Sequence, residues 1–308
     1  MDIKLPQIIA EIKADISLNE RDITLYEKNN FDSRTNAIDF IDFHILDRIA
    51  SLQQQTGRNE ELHALKKRAE KLENELEEIN AELFVHLKEQ IRTGGYTQSS
   101  FQMMISKYFG DHFFDGKKNT EMGYNNLDIF INGVLLGETI PTLTIEPKPE
   151  MVFYQQTPAK IIFELANLVK AKPDDVFYDL GSGLGQVPIL INLISGVVCK
   201  GIEYEPAYCN YAQGCALNLN LLNIEFINAD ARKADYSKGT VFFMYTPFAG
   251  SIMQTVLTML QNEANKRVIR IFTYGPCSPV IAKENWLTCV NGPATDFYKL
   301  YEFKSNIN

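Results

Sequence analysis

Apolar residues in the first part of the chain recur three and four positions apart, as in Ile38, Ile41, Ile45, Ile49 and Leu52. This spacing predicts helices across residues 1–55. Thr56-Gly57-Arg58-Asn59 interrupts the pattern, with Asn59 as an N-cap, and a second stripe follows at Leu62, Leu65, Ala69, Leu72, Leu76, Ile79 and Leu83. Its alternation of threes and fours is a heptad seam sustained for three repeats. The seam fails at His86, where the stripe shifts to Leu87 and Ile91. Two striped helices joined by a short polar break are expected to pack on one another as a hairpin; a dimeric coiled coil or a partner-binding arm is the sharper reading. Lys66, Lys67, Arg68, Glu70 and Lys71 lie off the seam and read as a solvated face.

Gly94-Gly95 ends that helix, and Tyr96–Phe109 is expected to form another. Asp111–Asn126, rich in Gly, Asn and Lys, reads as a loop. Leu127–Leu135 reads as two short strands about an Asn132-Gly133 turn, a β-hairpin. Pro141, Pro147 and Pro149 then mark the passage out of a mainly helical domain, residues 1–150.

From Met151 the pattern changes to short apolar runs alternating with helical stripes, as in a wound α/β sheet. Thr157 as N-cap and Pro158 at the first helical position open a helix over Ala159–Val169. Strands are expected at Val176–Leu180, Val197–Glu203, Ile224–Asn228, Val241–Tyr245 and Val268–Thr273, with Trp286–Val290 and Phe297–Phe303 as a closing hairpin. Residues 151–308 form the second expected domain.

Composition narrows the partners. The chain has 308 residues, 45% hydrophobic and 22% charged, which suits about two globular domains. Its net charge of −9 comes from residues 1–150, which hold 17 Lys+Arg against 26 Asp+Glu. An acidic chain without a basic stripe argues against a nucleic-acid duplex as partner, since phosphate neutralisation dominates such binding, and it tolerates a basic protein. The five cysteines form no C-x-x-C pair, and of His44, His63, His86 and His112 three sit in or beside helix patterns without acidic or cysteine partners at ligand spacing, so no metal site or disulfide framework is expected. The first residues have no signal-like apolar core and no apolar run approaches about 18 residues, so a cytoplasmic protein without a membrane span is expected.

The chemistry concentrates in Val176-Phe177-Tyr178-Asp179-Leu180-Gly181-Ser182-Gly183-Leu184-Gly185-Gln186. An apolar run ends in an acid, and three glycines at alternate positions precede a helical stripe. Glycine there lets a ligand lie directly on backbone. Dinucleotide enzymes use G-x-G-x-x-G for a pyrophosphate. G-x-G-x-G after Asp179 suits instead a ligand with an amino-acid end and a ribose. Glu203, 22 residues after Gly181 at the end of the second strand, is placed to accept ribose hydroxyl protons, or else is an ordinary strand-end carboxylate.

This combination resembles motif I of the class I S-adenosylmethionine-dependent methyltransferases. Within them it is similar to the non-SET, disruptor-of-telomeric-silencing-like histone lysine methyltransferases. That family shows D-L-G-S-G-V-G-Q after a Y-G-E-T loop and before G-V-E. This chain has Asp179–Gln186, Tyr154-Gln155-Gln156-Thr157 and Gly201-Ile202-Glu203. The resemblance covers residues 150–280 and implies a Rossmann-like seven-stranded sheet with S-adenosylmethionine as cofactor. It further implies that Tyr154 and Thr157 lie in the loop over the methionine end. Asp179, Gly181, Ser182, Gly183, Gly185, Gln186 and Glu203 form the cradle, and Asp230 receives the adenine amine, unless Asp230 only caps the next turn. Tyr245 and Phe248 in Tyr245-Thr246-Pro247-Phe248 are expected to line the methyl-acceptor pocket, and with Tyr154 they are the catalytic candidates; core packing is the other reading of Phe248.

The sequence departs from the family at Gln156, where the family has Glu, and at Tyr245–Phe248, where it has Asn-Asn-Phe-Ala-Phe. Amine methylation on a protein is the leading reading. A small-molecule or nucleobase acceptor, and a non-catalytic cofactor-binding module, stay open.

Overall fold

The helical stripes of the first residues do fold onto one another. The structure is a computed structural model and describes residues 5–57, 59–94, 98–110, 123–137 and 139–306. The chain divides into two units, Met1–Leu87 with Lys107–Phe109, and Lys88–Ser106 with Gly110–Asn308. The division therefore falls within a long helix and not at residue 150.

In the first unit α1 (Leu5–Arg21) is followed by a 3₁₀ turn, then α2 (Phe31–Phe40), a π-helical stretch (Ile41–Leu46), α3 (Asp47–Thr56) and, as far as Leu87, the long α4 (Glu60–Arg92). Ile12, Ile16, Ile41, Ile45 and Ile49 share one core with Leu62, Leu65, Ala69, Leu72 and Leu76. From Leu62 to Leu76 the heptad seam thus packs against helices of the same unit. Asn59 caps α4 as expected, its Oδ1 accepting from Leu62 N at 3.1 Å. Arg34 is fully buried, donating to Asn80 Oδ1 at 2.7 Å and to the carbonyls of Leu25 and Glu27, both at 2.9 Å.

The second unit contains most of α5 (Gln98–Phe109) and all of α6 (Asn126–Leu135). The loop expected at 111–126 lies largely outside the described residues. The expected β-hairpin at 127–135 is corrected: the segment is one helix, α6. Leu127, Phe130, Ile131, Val134 and Leu135 fall on one helical face and are buried, while Asn125 and Asp128 close a reciprocal capping box. The Asn-Gly pair sits inside this helix because burial of that stripe outweighs a local turn preference. Asp128 Oδ1 also accepts from Ala159 N at 2.6 Å, so α7 (Ala159–Val169) is capped by a distant side chain, with Pro158 at the N-cap and Thr157 outside.

Seven strands follow: β1 (Val176–Leu180), β2 (Val198–Glu203), β3 (Ile224–Asn228), β4 (Val241–Met244), β5 (Arg270–Thr273), β6 (Leu287–Cys289) and β7 (Tyr301–Ser305). They lie in the order β3-β2-β1-β4-β5-β7-β6, parallel from β3 to β5, with β7 antiparallel to both neighbours. Residues 297–300 do not join β7. Consecutive residues Phe177–Leu180 are all buried, as in a parallel strand covered on both faces by helices. The flanking helices are α8 (Gln186–Ser195), α9 (Pro206–Asn218), α10 (Gly250–Ala264) and the short α11 (Ser278–Ile281). Strand order reverses between β1 and β4, and ligands of open α/β sheets bind beyond the strand ends at such a switch point. Among the described residues no helix is long and apolar enough to cross a membrane.

Candidate functional site

The chain leaves β1 through the glycine turn. Gly181 N and Ser182 N donate to Ile202 O at 2.9 and 3.0 Å, which pins the turn to the end of β2. Gly183 has φ +52°, and a Cβ there would lie 2.2 Å from the Tyr154 ring, so the ring rests directly on backbone. Gly185 faces elsewhere. A Cβ on it would meet Ala212 at 2.6 Å and Phe226 at 2.7 Å, so this glycine serves the packing of the turn against α9 and β3.

Beyond the turn lies a cavity of about 270 Å³. Tyr154, Thr157, Asp179, Gly181, Ser182, Gln186, Glu203, Asp230, Tyr245 and Phe248, all marked from the sequence, line it; Gly183 and Gly185 do not.

Three carboxylates reach it in different states. Glu203 holds the loop: its Oε2 accepts from Gly183 N at 2.7 Å and its Oε1 from Glu205 N at 2.8 Å, leaving further lone pairs. Burial raises its pKa against these bonds. Asp179 is 3% exposed, and burial, with Glu203 nearby, pushes its carboxyl well above the usual range. Asp230 is already engaged. Arg232 Nε and Nη2 donate to it at 2.9 and 2.6 Å and Lys148 Nζ at 2.9 Å, which holds its pKa low, and it also caps the following 3₁₀ turn through Arg232 N. The capping reading of Asp230 therefore describes its geometry, alongside its place in the cavity wall.

A strap of residues 143–157 forms one wall and is tied down along its length. Thr144 Oγ1 and Ile145 N donate to Glu205, Lys148 donates to Asp230, and Glu150 accepts from Ser251 Oγ at 2.7 Å and Ile252 N at 3.2 Å. Val152 N then donates to Pro247 O, joining the strap to the loop after β4.

That loop carries Thr246 at φ +44°, an uncommon conformation for a β-branched residue, stabilised by Cys277 N donating to its Oγ1 at 3.1 Å. Tyr245 packs on Tyr274 with ring centroids 5.0 Å apart, and burial raises its phenol to about 12. Loss of water likewise raises Tyr154. Burial thus favours the protonated phenol at both positions. Phe248 belongs to the core and also lines the cavity.

Two buried polar atoms of lining residues have no partner, Ser182 Oγ and Gln186 Oε1. Unmet buried groups of this kind point to a polar ligand. Sequence reasoning passed over Asn132, Lys148, Glu150, Tyr204, Glu205 and Thr246. Only the capping box before Asn132 left a readable signal; the others act through distant partners. Among the described residues no cluster of His, Cys, Asp or Glu is arranged to hold a metal.

Residues 150–279, less than half of the chain, match the family model described as "Histone methylation protein DOT1". No curated protein sequence matches the chain. Among solved structures, an RNA methyltransferase from Salinibacter ruber in complex with S-adenosyl-L-homocysteine is 23% identical, covering 50% of this chain and 94% of its own, with a TM-score of 0.38. Precorrin-6y C5,15-methyltransferase from Geobacter metallireducens is 14% identical over 51% and 93%, with a TM-score of 0.39. A putative RNA methyltransferase from Pyrococcus horikoshii is 16% identical over 53% and 91%, also at 0.39. At these scores the fold rests on the strand order of this chain itself.

Proposed function

We propose that this chain, a methyltransferase whose residues 150–279 form a domain of the DOT1 type, methylates an amine on a protein with S-adenosylmethionine as methyl donor. The observation that carries the reading is the convergence on one cavity of glycine backbone, the carboxylates of Asp179 and Glu203 from neighbouring strands, and the unpartnered Ser182 Oγ and Gln186 Oε1. These groups fit an adenosyl amino acid, which brings hydroxyl and ammonium donors to acceptors that otherwise go unmet.

The bound sulfonium supplies an electrophilic methyl group and leaves as a neutral thioether. The chain's residues then have to hold the acceptor in line and keep water out. Glu203 is the ribose acceptor in this reading, and Gln186 and Ser182 meet the amino-acid end. Tyr154, Tyr245 and Phe248 wall the acceptor side. An ammonium substrate first gives its proton to solvent water, and an apolar aromatic wall favours the neutral amine by disfavouring its charged form.

The family description, a net charge of −9 and the absence of a basic stripe support a basic protein as acceptor over a nucleic acid. The test uses the purified full chain with methyl-labelled cofactor and, separately, core histones and a cell extract. Label in protein, lost on protease treatment, is expected. Label that resists protease and disappears with nuclease, or stays in small molecules, refutes the protein acceptor; no calorimetric binding of S-adenosylhomocysteine refutes the cofactor as well.

A further inference from the structure

Gln186 is the first residue of α8, 3% exposed, and an amide presents two ends of nearly equal size. Which end faces the ligand is set by the partner of the other. That partner lies on α6, outside the segment that matches the family model: Asn132 Oδ1 accepts from Gln186 Nε2 at 2.7 Å and from Gln156 Nε2 at 2.8 Å. A side-chain carbonyl has two lone pairs, and both are used. With the Nε2 groups of both glutamines on Asn132 Oδ1, Gln186 Oε1 is the buried atom left without a partner.

Resting on the cofactor reading above, we infer that Asn132 is a positioning residue that turns the Gln186 amide oxygen towards the ligand and so selects an ammonium at its amino-acid end. The reversed amide would offer N–H groups and select a carboxylate instead. Gln156 completes the arrangement. Its backbone carbonyl accepts from Tyr124 Oη, and its amide meets Asn132, so α6, the first residue of α8 and the 154–157 segment share one set of hydrogen bonds. The family has Glu where this chain has Gln156; a carboxylate there has no N–H to give to Asn132 Oδ1.

The experiment titrates the full chain calorimetrically with S-adenosylhomocysteine and with methylthioadenosine, which lacks the amino-acid end. Asn132→Leu removes the acceptor at similar volume. Asn132→Asp keeps an acceptor and can only accept. Expected is a loss of about tenfold or more in S-adenosylhomocysteine affinity for Asn132→Leu, with methylthioadenosine within about twofold of wild type, and recovery of affinity in Asn132→Asp. Equal weakening towards both compounds in Asn132→Leu would show a merely structural role and overturn the inference. So would an Asn132→Asp chain as impaired as Asn132→Leu with methylthioadenosine binding intact, because the amide would then face the other way. A wild-type chain that binds neither compound brings down the cofactor reading itself, a different result from either.

Discussion

Glu203→Gln tests the cradle most directly. In the folded chain Glu203 accepts two backbone N–H groups, from Gly183 at 2.7 Å and Glu205 at 2.8 Å. Glutamine preserves the length of the side chain but replaces one acceptor oxygen with a donor. One of the two backbone N–H groups then faces an NH₂, and any ribose hydroxyl on that oxygen loses its acceptor. A hydrogen bond to a charged group contributes about 1.5–3 kcal/mol. Losing one from the complex therefore raises the S-adenosylhomocysteine dissociation constant by roughly 10- to 150-fold. Titration calorimetry measures this, and a 2′,3′-dideoxy analogue supplies the control, since the difference between wild type and variant should shrink towards unity when the hydroxyls are gone. A variant that stays folded by circular dichroism and binds S-adenosylhomocysteine within about threefold of wild type would refute the role.

Asp179→Asn should raise the melting temperature at pH 7 while weakening cofactor binding, because the wild-type carboxylate is buried at a cost that only a ligand relieves. The folded pKa of Asp179 exceeds its unfolded value, so its penalty is absent below the unfolded pKa and grows as pH rises to the folded pKa; Asp230, held low by Arg232 and Lys148, contributes the opposite way and loses its stabilisation as pH falls through its folded value. Binding of a cationic amino-acid end near the folded pKa of Asp179 should release protons, seen as a dependence of the calorimetric enthalpy on buffer ionisation heat. Gly185→Ala should destabilise the fold by about 1–3 kcal/mol through overlap with Ala212 and Phe226 at φ +85°, read as a lowered melting temperature; a melting curve equal to wild type would contradict the packing role. Arg34→Met should destabilise the helical unit by about 3 kcal/mol or more, since it strands the carbonyls of Leu25 and Glu27 and the Asn80 amide, and faster amide exchange across α2 and α4 reports it.

The boundaries of β1 and β3, the glycine turn and the seam of α4 were all legible, because each is a local pattern whose burial reinforces its own propensity. The segment 127–135 was misread because Asn-Gly is a strong turn signal and the run is short. Its apolar residues stand at helical spacing, and the box of Asn125 with Asp128 was there to be seen. Gly185 had the right spacing for a cradle, yet its neighbours, Ala212 and Phe226, come from α9 and β3.

What the sequence determined by itself is an alternating α/β unit with a glycine turn between two acidic strand ends, behind a set of striped helices, since those features depend on residues near one another in the chain. What the tertiary structure decided is the state of each group in the cavity. Asp230 is engaged by Lys148 from far upstream, Asp179 is buried, Thr246 is held at positive φ, and the Gln186 amide is bonded to Asn132. Those properties are set by partners that are distant in sequence, and no local pattern encodes which partner arrives.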